Sequence, residues 1–98
     1  MRFEFKNKKL AALYTEEKGA RKYGAALVAA FFDVMDVINN AQDERDLYAL
    51  KSLRYEKLKG ARSQQRSIRL NRQFRLIIER QHDEQGCCLL IINIEDYH

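Results

Sequence analysis

The last three residues of the chain, Asp96-Tyr97-His98, are of types that carry out acid–base chemistry. Histidine titrates near neutral pH, so His98 could act as an acid or as a base. Asp96 could act as a base or orient a neighbour, and Tyr97 could stack on a nucleobase or donate a proton. Tyr97 and His98 would line one site only if the chain bends after Ile94 or Glu95, because successive strand residues point to opposite faces. The alternative is a frayed, soluble chain end.

Arg75 is a candidate phosphate ligand, since a period-two pattern places it within a predicted strand. A guanidinium can hold a phosphate through two parallel hydrogen bonds. RNA cleavage without a metal needs a base for the 2′-hydroxyl, an acid for the 5′-oxygen, and cations for the charge of the transition state. Arg75 and the C-terminal triplet supply these three kinds of group, so this chemistry requires no cofactor.

Positive charge is concentrated in the central third of the chain. Residues 51–80 hold ten Lys or Arg against two Asp or Glu, whereas residues 1–50 hold eight of each and residues 81–98 hold none against four. Such a concentration predicts a polyanionic partner, with a solvated basic face as the alternative. The side chains expected to contact RNA phosphates are Arg54, Lys57, Arg62, Arg66, Arg69 and Arg72.

Several protein classes are excluded by what the sequence lacks. It contains no phosphate-binding glycine loop and no zinc-protease or serine-hydrolase motif, and Cys87 and Cys88 lack the spacing of zinc ligands. No apolar stretch is long enough for a membrane helix or resembles a signal-peptide core, so we expect a cytoplasmic protein without membrane association. Because the 98 residues include no proline and no repeat, we expect one domain spanning 1–98.

The periodicity predicts a strand, two helices and then a strand meander. Residues 2–6 alternate polar and aromatic side chains, residues 8–14 and 24–40 show helical spacing, and residues 44–50 form a short turn. Three further strands are predicted around residues 67–71, 74–79 and 88–94, with a tight hairpin at 71–73 and a longer polar hairpin at 81–86. We therefore expect an α+β fold with two N-terminal helices on one face of a mainly antiparallel sheet of four to five strands.

Three segments resemble the HigB family of the RelE/ParE toxin superfamily. They are Leu53 to Gly60 with its Leu-Lys-Gly turn, Ser67 to Leu76 with its Ser-Ile and aromatic-Arg-hydrophobic strands, and the closing Glu95 to His98. The resemblance covers most of the chain and is specific from about residue 50 onward. It implies a RelE-like fold and a type II toxin that cleaves messenger RNA in the ribosomal decoding site.

The resemblance also implies partners and site residues. The partners are a HigA-like helix-turn-helix antitoxin, the ribosome with its messenger RNA, and operator DNA only through the antitoxin. By position it assigns Lys59 and Arg75 to the phosphate, Tyr97 to stacking, and Asp96 with His98 to proton transfer. Glu56 stands where some HigB proteins have a histidine, which implies slower chemistry or a different proton relay. The aspartate of the family's Gly-Asp-Arg turn is also replaced, by Ala61.

Two other functions compete with the ribonuclease. A ParE-like inhibitor of DNA gyrase would share the fold, because fold alone does not fix function. It would have no need of a terminal Asp-Tyr-His. A basic RNA-binding or ribosome-associated module would contact phosphates without cleaving them.

Overall fold

The computed structural model describes residues 1–96, which form an α+β fold. Five strands form one sheet, and four α-helices lie before the second strand in the chain. Two 3₁₀ turns, at Lys51–Leu53 and Gly60–Arg62, flank that strand. In chain order the elements are β1 (Arg2–Phe5), α1 (Lys8–Glu16), α2 (Ala20–Tyr23), α3 (Ala25–Asn40), α4 (Glu44–Ala49), β2 (Glu56–Lys57), β3 (Gln65–Arg69), β4 (Phe74–Asp83) and β5 (Gly86–Asp96).

The strand order in the sheet is β1-β5-β4-β3-β2, so β4 is the central strand. The pairs β2–β3, β3–β4 and β4–β5 are antiparallel, and only β1–β5 is parallel. The predicted fold class, α+β with a mainly antiparallel sheet of four to five strands, is confirmed.

Local sequence explains where the helices begin. The Asn7 side chain accepts hydrogen bonds from the backbone N–H groups of Lys9 and Leu10, which caps α1. The Asp43 side chain caps α4 in the same way through the N–H of Arg45.

The apolar stripe of α3 is long enough to bury five residues, namely Leu27, Phe31, Val34, Met35 and Ile38. None of the helices in the described part of the chain is long and apolar enough to cross a membrane.

One face of the sheet contributes to the hydrophobic core. Buried residues of α1, α3 and α4 cluster there with alternate strand residues, which include Ile68, Leu76, Ile78, Leu89 and Ile91. Because side chains of a strand alternate between faces, the intervening residues point to the other side of the sheet, here called the outer face.

Within residues 1–96 the structure has four helices where two were expected from sequence, because the short turn predicted at 44–50 is helix α4 (Glu44–Ala49) and α2 was not predicted. The short helix α2 and the two-residue strand β2 carry too few residues to show a period. The polar hairpin predicted at 81–86 is present, and its strands remain paired as far as Asp83 and Gly86, so its loop is only two residues long. Its polar composition reflects exposure at the end of the hairpin, since residues 81–86 are all exposed.

Candidate active site

The outer face presents rows of side chains aligned across neighbouring strands. Register pairing puts Arg69, Arg75 and Glu95 in one row, from β3, β4 and β5 respectively. The next row contains Glu56, Ser67, Ile77 and Asn93. The first row holds two arginines beside a carboxylate. An irregularity in the β4–β5 register lies between Ile77 and Ile78, and a bulge of this kind twists the two strands.

Arg75 lies in the middle of this row and is partly enclosed. Its guanidinium Nε and Nη1 atoms are buried, although the residue as a whole is half-buried. A guanidinium in such a setting is more fixed than one on a free surface side chain, which suits the binding of a phosphate at one place.

The loop before β3 reaches the outer face through Arg62. The guanidinium of Arg62 donates to both carboxylate oxygens of Glu95, at 3.2 and 2.8 Å, and its Nε donates to Gln65 Oε1 at 2.9 Å. The pair is 46% and 36% exposed, so it is accessible to a ligand. Arg62 is thus fixed beside the row that contains Arg75.

The Leu-Lys-Gly turn connects β2 to this loop. Gly60 has φ of +69°, a left-handed conformation that side-chain-bearing residues rarely adopt, and it starts the 3₁₀ turn that ends at Arg62. Lys59 is the exposed residue just before this turn. The glycine of the motif therefore has a structural role in bringing Arg62 toward Glu95.

Glu56 also lies on the outer face, because it pairs with Ser67 of β3. The strand that carries it is anchored by the preceding residue, since the Tyr55 hydroxyl donates to Glu44 Oε2 at 2.6 Å. Burial and this hydrogen bond raise the pKa of Tyr55 well above its usual range. Tyr55 therefore remains a neutral hydrogen-bond donor at physiological pH and holds β2 against α4.

Arg66 does not join the candidate phosphate ligands. It is 8% exposed and lies on the same sheet face as Ile68, two residues along β3. Its Nε is 3.6 Å from Glu44 Oε2, and its Nη1 donates to the Ser63 carbonyl at 3.0 Å. Arg80 also reaches Glu44, at 3.5 Å. The predicted phosphate contact by Arg66 is therefore replaced by a partly buried charge cluster that fastens α4 to the sheet.

Asp96 ends the described part of β5. It pairs with Phe74, so the strand continues without the bend after Ile94 or Glu95 that the sequence argument required. In that register its side chain points to the face opposite that of Glu95, and Oδ2 accepts from Gln73 Nε2 at 3.1 Å. The predicted site residues Tyr97 and His98 lie outside the described residues.

The remaining predicted RNA contacts lie at the margin of the sheet and in its loops. Arg69 is on the outer face. Lys57 lies on the edge strand β2, where it pairs with Arg66 of β3. Arg54 follows the first 3₁₀ turn, and Arg72 lies in the turn between β3 and β4. Both are exposed, as is Lys57. Of the predicted set, the structure brings Arg62, Arg69 and Arg75 together.

The outer face is mixed in charge rather than uniformly basic. Charges of both signs point to it or are paired over it. Near Arg75 they are Arg62, Arg69, Glu56, Glu79 and Glu95, and toward β1 they are Arg2, Glu4 and Asp83. The basic excess of residues 51–80 is divided between this face, the exposed margin and the partly buried cluster at Glu44.

Comparison with known proteins identifies the family. The family described as "HigB-like toxin: RelE-like toxin of type II toxin-antitoxin system HigB" matches residues 3–98. Toxin HigB-1 of Vibrio cholerae serotype O1 is 35% identical over 79 residues, which is 81% of this chain and 83% of that protein. The chain belongs to the HigB-like family of type II toxins. As a member of a toxin–antitoxin system, it has an antitoxin as its partner.

Two solved structures share the fold of this HigB-like toxin. The YoeB/ParE toxin from Agrobacterium tumefaciens has a TM-score of 0.58 at 15% identity and covers the whole of both chains. YafQ from Escherichia coli strain BL21(DE3) has a TM-score of 0.58 at 13% identity, with 98% of this chain and 93% of that chain covered. At such identities the likeness shows the fold alone.

Two carboxylates, Glu95 at the site and Glu44 on the core side of the sheet, were missing from the residues singled out for chemistry in the sequence. Glu95 was seen only as part of the terminal motif, although its alternation with Ile94 could have placed it on the face of Arg75. Glu44 was seen only as the start of a short turn. Its contacts with Tyr55, Arg66 and Arg80 join residues 11 to 36 positions apart, and no local pattern predicts them.

Proposed function

We propose that this toxin is a ribosome-dependent endoribonuclease that cleaves translated messenger RNA without a metal ion and so inhibits translation and growth. The single observation that carries the proposal is the row Arg69–Arg75–Glu95 on the outer face, at the end of β5 that leads to Asp96-Tyr97-His98. A cation row beside titratable groups is what phosphodiester cleavage by the RNA's own 2′-hydroxyl requires.

The proposed reaction begins when a base removes the proton of the 2′-hydroxyl. The 2′-oxygen then attacks the adjacent phosphorus, and the bond from phosphorus to the 5′-oxygen breaks. An acid protonates that leaving oxygen, so the products are a 2′,3′-cyclic phosphate and a 5′-hydroxyl. Arg75 and Lys59 hold the phosphate and stabilise the charge that develops on its oxygens.

Proton transfer was expected from Asp96 and His98, and stacking on a base from Tyr97. Because the Asp96 side chain points to the face opposite Arg75, we assign proton transfer to His98, and Asp96 is proposed to orient the end of the chain. Glu56 is a further candidate base, because it lies on the outer face in the row next to Arg75. This placement supports a carboxylate at the position where some family members have a histidine. Arg54, Lys57, Arg62, Arg69 and Arg72 are proposed to bind neighbouring phosphates of the RNA.

The proposed setting is the cytoplasm, where the substrate is messenger RNA in the decoding site of a ribosome. A HigA-like antitoxin neutralises the toxin there and carries any binding to operator DNA.

Cleavage of a defined messenger RNA on purified ribosomes tests this proposal. We expect cuts with 2′,3′-cyclic phosphate and 5′-hydroxyl ends, and no cut where the nucleotide 5′ to the scissile phosphate carries 2′-deoxyribose. RNA without ribosomes should remain intact. Cleavage of the 2′-deoxy substrate, or 5′-phosphate ends, would contradict the proposed chemistry. An intact messenger RNA together with inhibited DNA gyrase would instead support the ParE-like alternative.

A further inference from the structure

A groove between α1 and α2 is lined by four lysines, Lys8, Lys9, Lys18 and Lys22. Ala12 and Tyr23 form apolar parts of its wall, and its volume is about 380 Å³. Both of these residues are half-buried, and Tyr23 packs against the hydrophobic core. The groove therefore combines an apolar wall with a rim of positive charge.

The four lysines are not neutralised within residues 1–96. No carboxylate lines the groove, and the salt bridges of this part of the chain all use arginines. The lysine side chains can lay their alkyl stems on apolar surface while the ammonium groups remain in water. A ligand that offers both apolar and acidic side chains would complement this groove.

The groove also lies apart from the proposed active site. Leu10 and Leu13 of α1 are buried in the core, so α1 lies on the core side of the sheet, whereas Arg75 points to the outer face. A partner bound in the groove would leave the row of Arg75 uncovered.

We propose that this groove binds an acidic, amphipathic segment of the toxin's antitoxin. The inference rests on family membership, which gives the toxin an antitoxin, and on the charge of the groove, which selects an acidic segment. The apolar wall, formed in part by the alkyl side chain of Ala12, suits the apolar side chains of an amphipathic protein segment. The groove also lacks arginine, the side chain that binds phosphates bidentately.

Binding of purified cognate antitoxin to full-length toxin variants tests this proposal. Lys18→Glu/Lys22→Glu reverses two charges of the groove, and Lys6→Glu/Lys51→Glu reverses two exposed lysines elsewhere. We expect the groove variant to bind the antitoxin at least tenfold more weakly than wild type, and the control to stay within twofold. Thermal unfolding of the free variants establishes that both are folded. Should the groove variant prove unfolded, Lys18→Gln/Lys22→Gln removes the charges more mildly and is expected to weaken binding about threefold.

The result is independent of RNA cleavage, since only binding is measured. Antitoxin affinity within twofold of wild type in the folded groove variant would overturn the proposal. Weaker binding to ribosomes with unchanged antitoxin affinity would overturn it as well, and would identify the groove as an RNA-binding surface. Failure of the proposed nuclease activity would leave the expected binding result unchanged.

Discussion

Arg75 combines three properties at the scale of a single residue: buried guanidinium atoms, a central strand, and a row shared with Arg69 and Glu95. We predict that Arg75→Ala lowers the rate of cleavage on ribosomes by about 10² to 10³, the cost of removing one preorganised donor to a transition state. Arg75→Lys keeps the charge but loses the bidentate geometry, so its rate should be intermediate. Arg45→Ala is the control, since Arg45 is exposed and pairs with Asp43. Equal rates for wild type and Arg75→Ala would contradict the assignment.

Substitution of Glu56 tests which group removes the proton of the RNA 2′-hydroxyl. If Glu56 is the base, Glu56→Gln should lower the rate by about 10² to 10⁴, because the amide cannot accept the proton. A rate near that of wild type would contradict this role and would assign the base to His98 instead. Both outcomes are read from single-turnover cleavage at several pH values.

Ionisation of the Tyr55 phenol at high pH should lower the stability of the fold. In the folded protein its pKa is raised by burial and by the hydrogen bond to Glu44, so the phenol ionises first in the unfolded chain. The stability that Tyr55 contributes is therefore complete below pH 10 and decreases as pH rises above it. Tyr55→Phe should lower the free energy of unfolding by about 1 kcal/mol at pH 7. The difference between wild type and Tyr55→Phe should be smaller by about 0.8 kcal/mol at pH 10.5. Urea unfolding at the two pH values measures this difference, and the same difference at both would contradict the proposed effect of Tyr55 ionisation.

At the scale of elements, the charge cluster at Glu44 fastens α4 to β3 and β4. Removing its carboxylate leaves the buried Arg66 side chain, which is 10% exposed, without its acidic neighbour. We predict that Glu44→Ala lowers the free energy of unfolding by about 2 kcal/mol. Asp33→Ala, at an exposed position of α3, should cost less than about 0.5 kcal/mol. Denaturant unfolding measures the free energy of unfolding of both variants. Equal losses in the two would contradict a stabilising role of the charge cluster.

Elements with a strong period could be predicted from the sequence, and contacts between distant segments could not. Helix α3 and strands β1, β3, β4 and β5 follow apolar patterns that local spacing reveals. The same pattern placed Arg69 and Arg75 in strands and so gave part of the site. Arg66 was misplaced because its partner Glu44 is 22 residues away. A charge map counts residues but does not say which sheet face each one occupies.

At the scale of the whole molecule, the two charged surfaces have separate proposed tasks. The outer face carries the groups that we propose for RNA cleavage, while the lysine groove lies with the helices on the core side of the sheet. An antitoxin in the groove would therefore inhibit by preventing ribosome entry rather than by filling the site. The toxin–antitoxin complex should then bind a short RNA oligonucleotide on the outer face with an affinity within threefold of the free toxin. Loss of this binding on addition of antitoxin would contradict the separation.

The most direct test of the central claim is made in growing cells. The wild-type toxin, the Arg75→Ala variant and a variant lacking His98 are induced separately, and new 5′ ends are mapped on translated messenger RNAs. The account predicts codon-phased cuts with 5′-hydroxyl ends for wild type, and their loss in both variants at equal protein levels. Growth arrest by wild type without new 5′ ends, or identical cuts in all three strains, would contradict it.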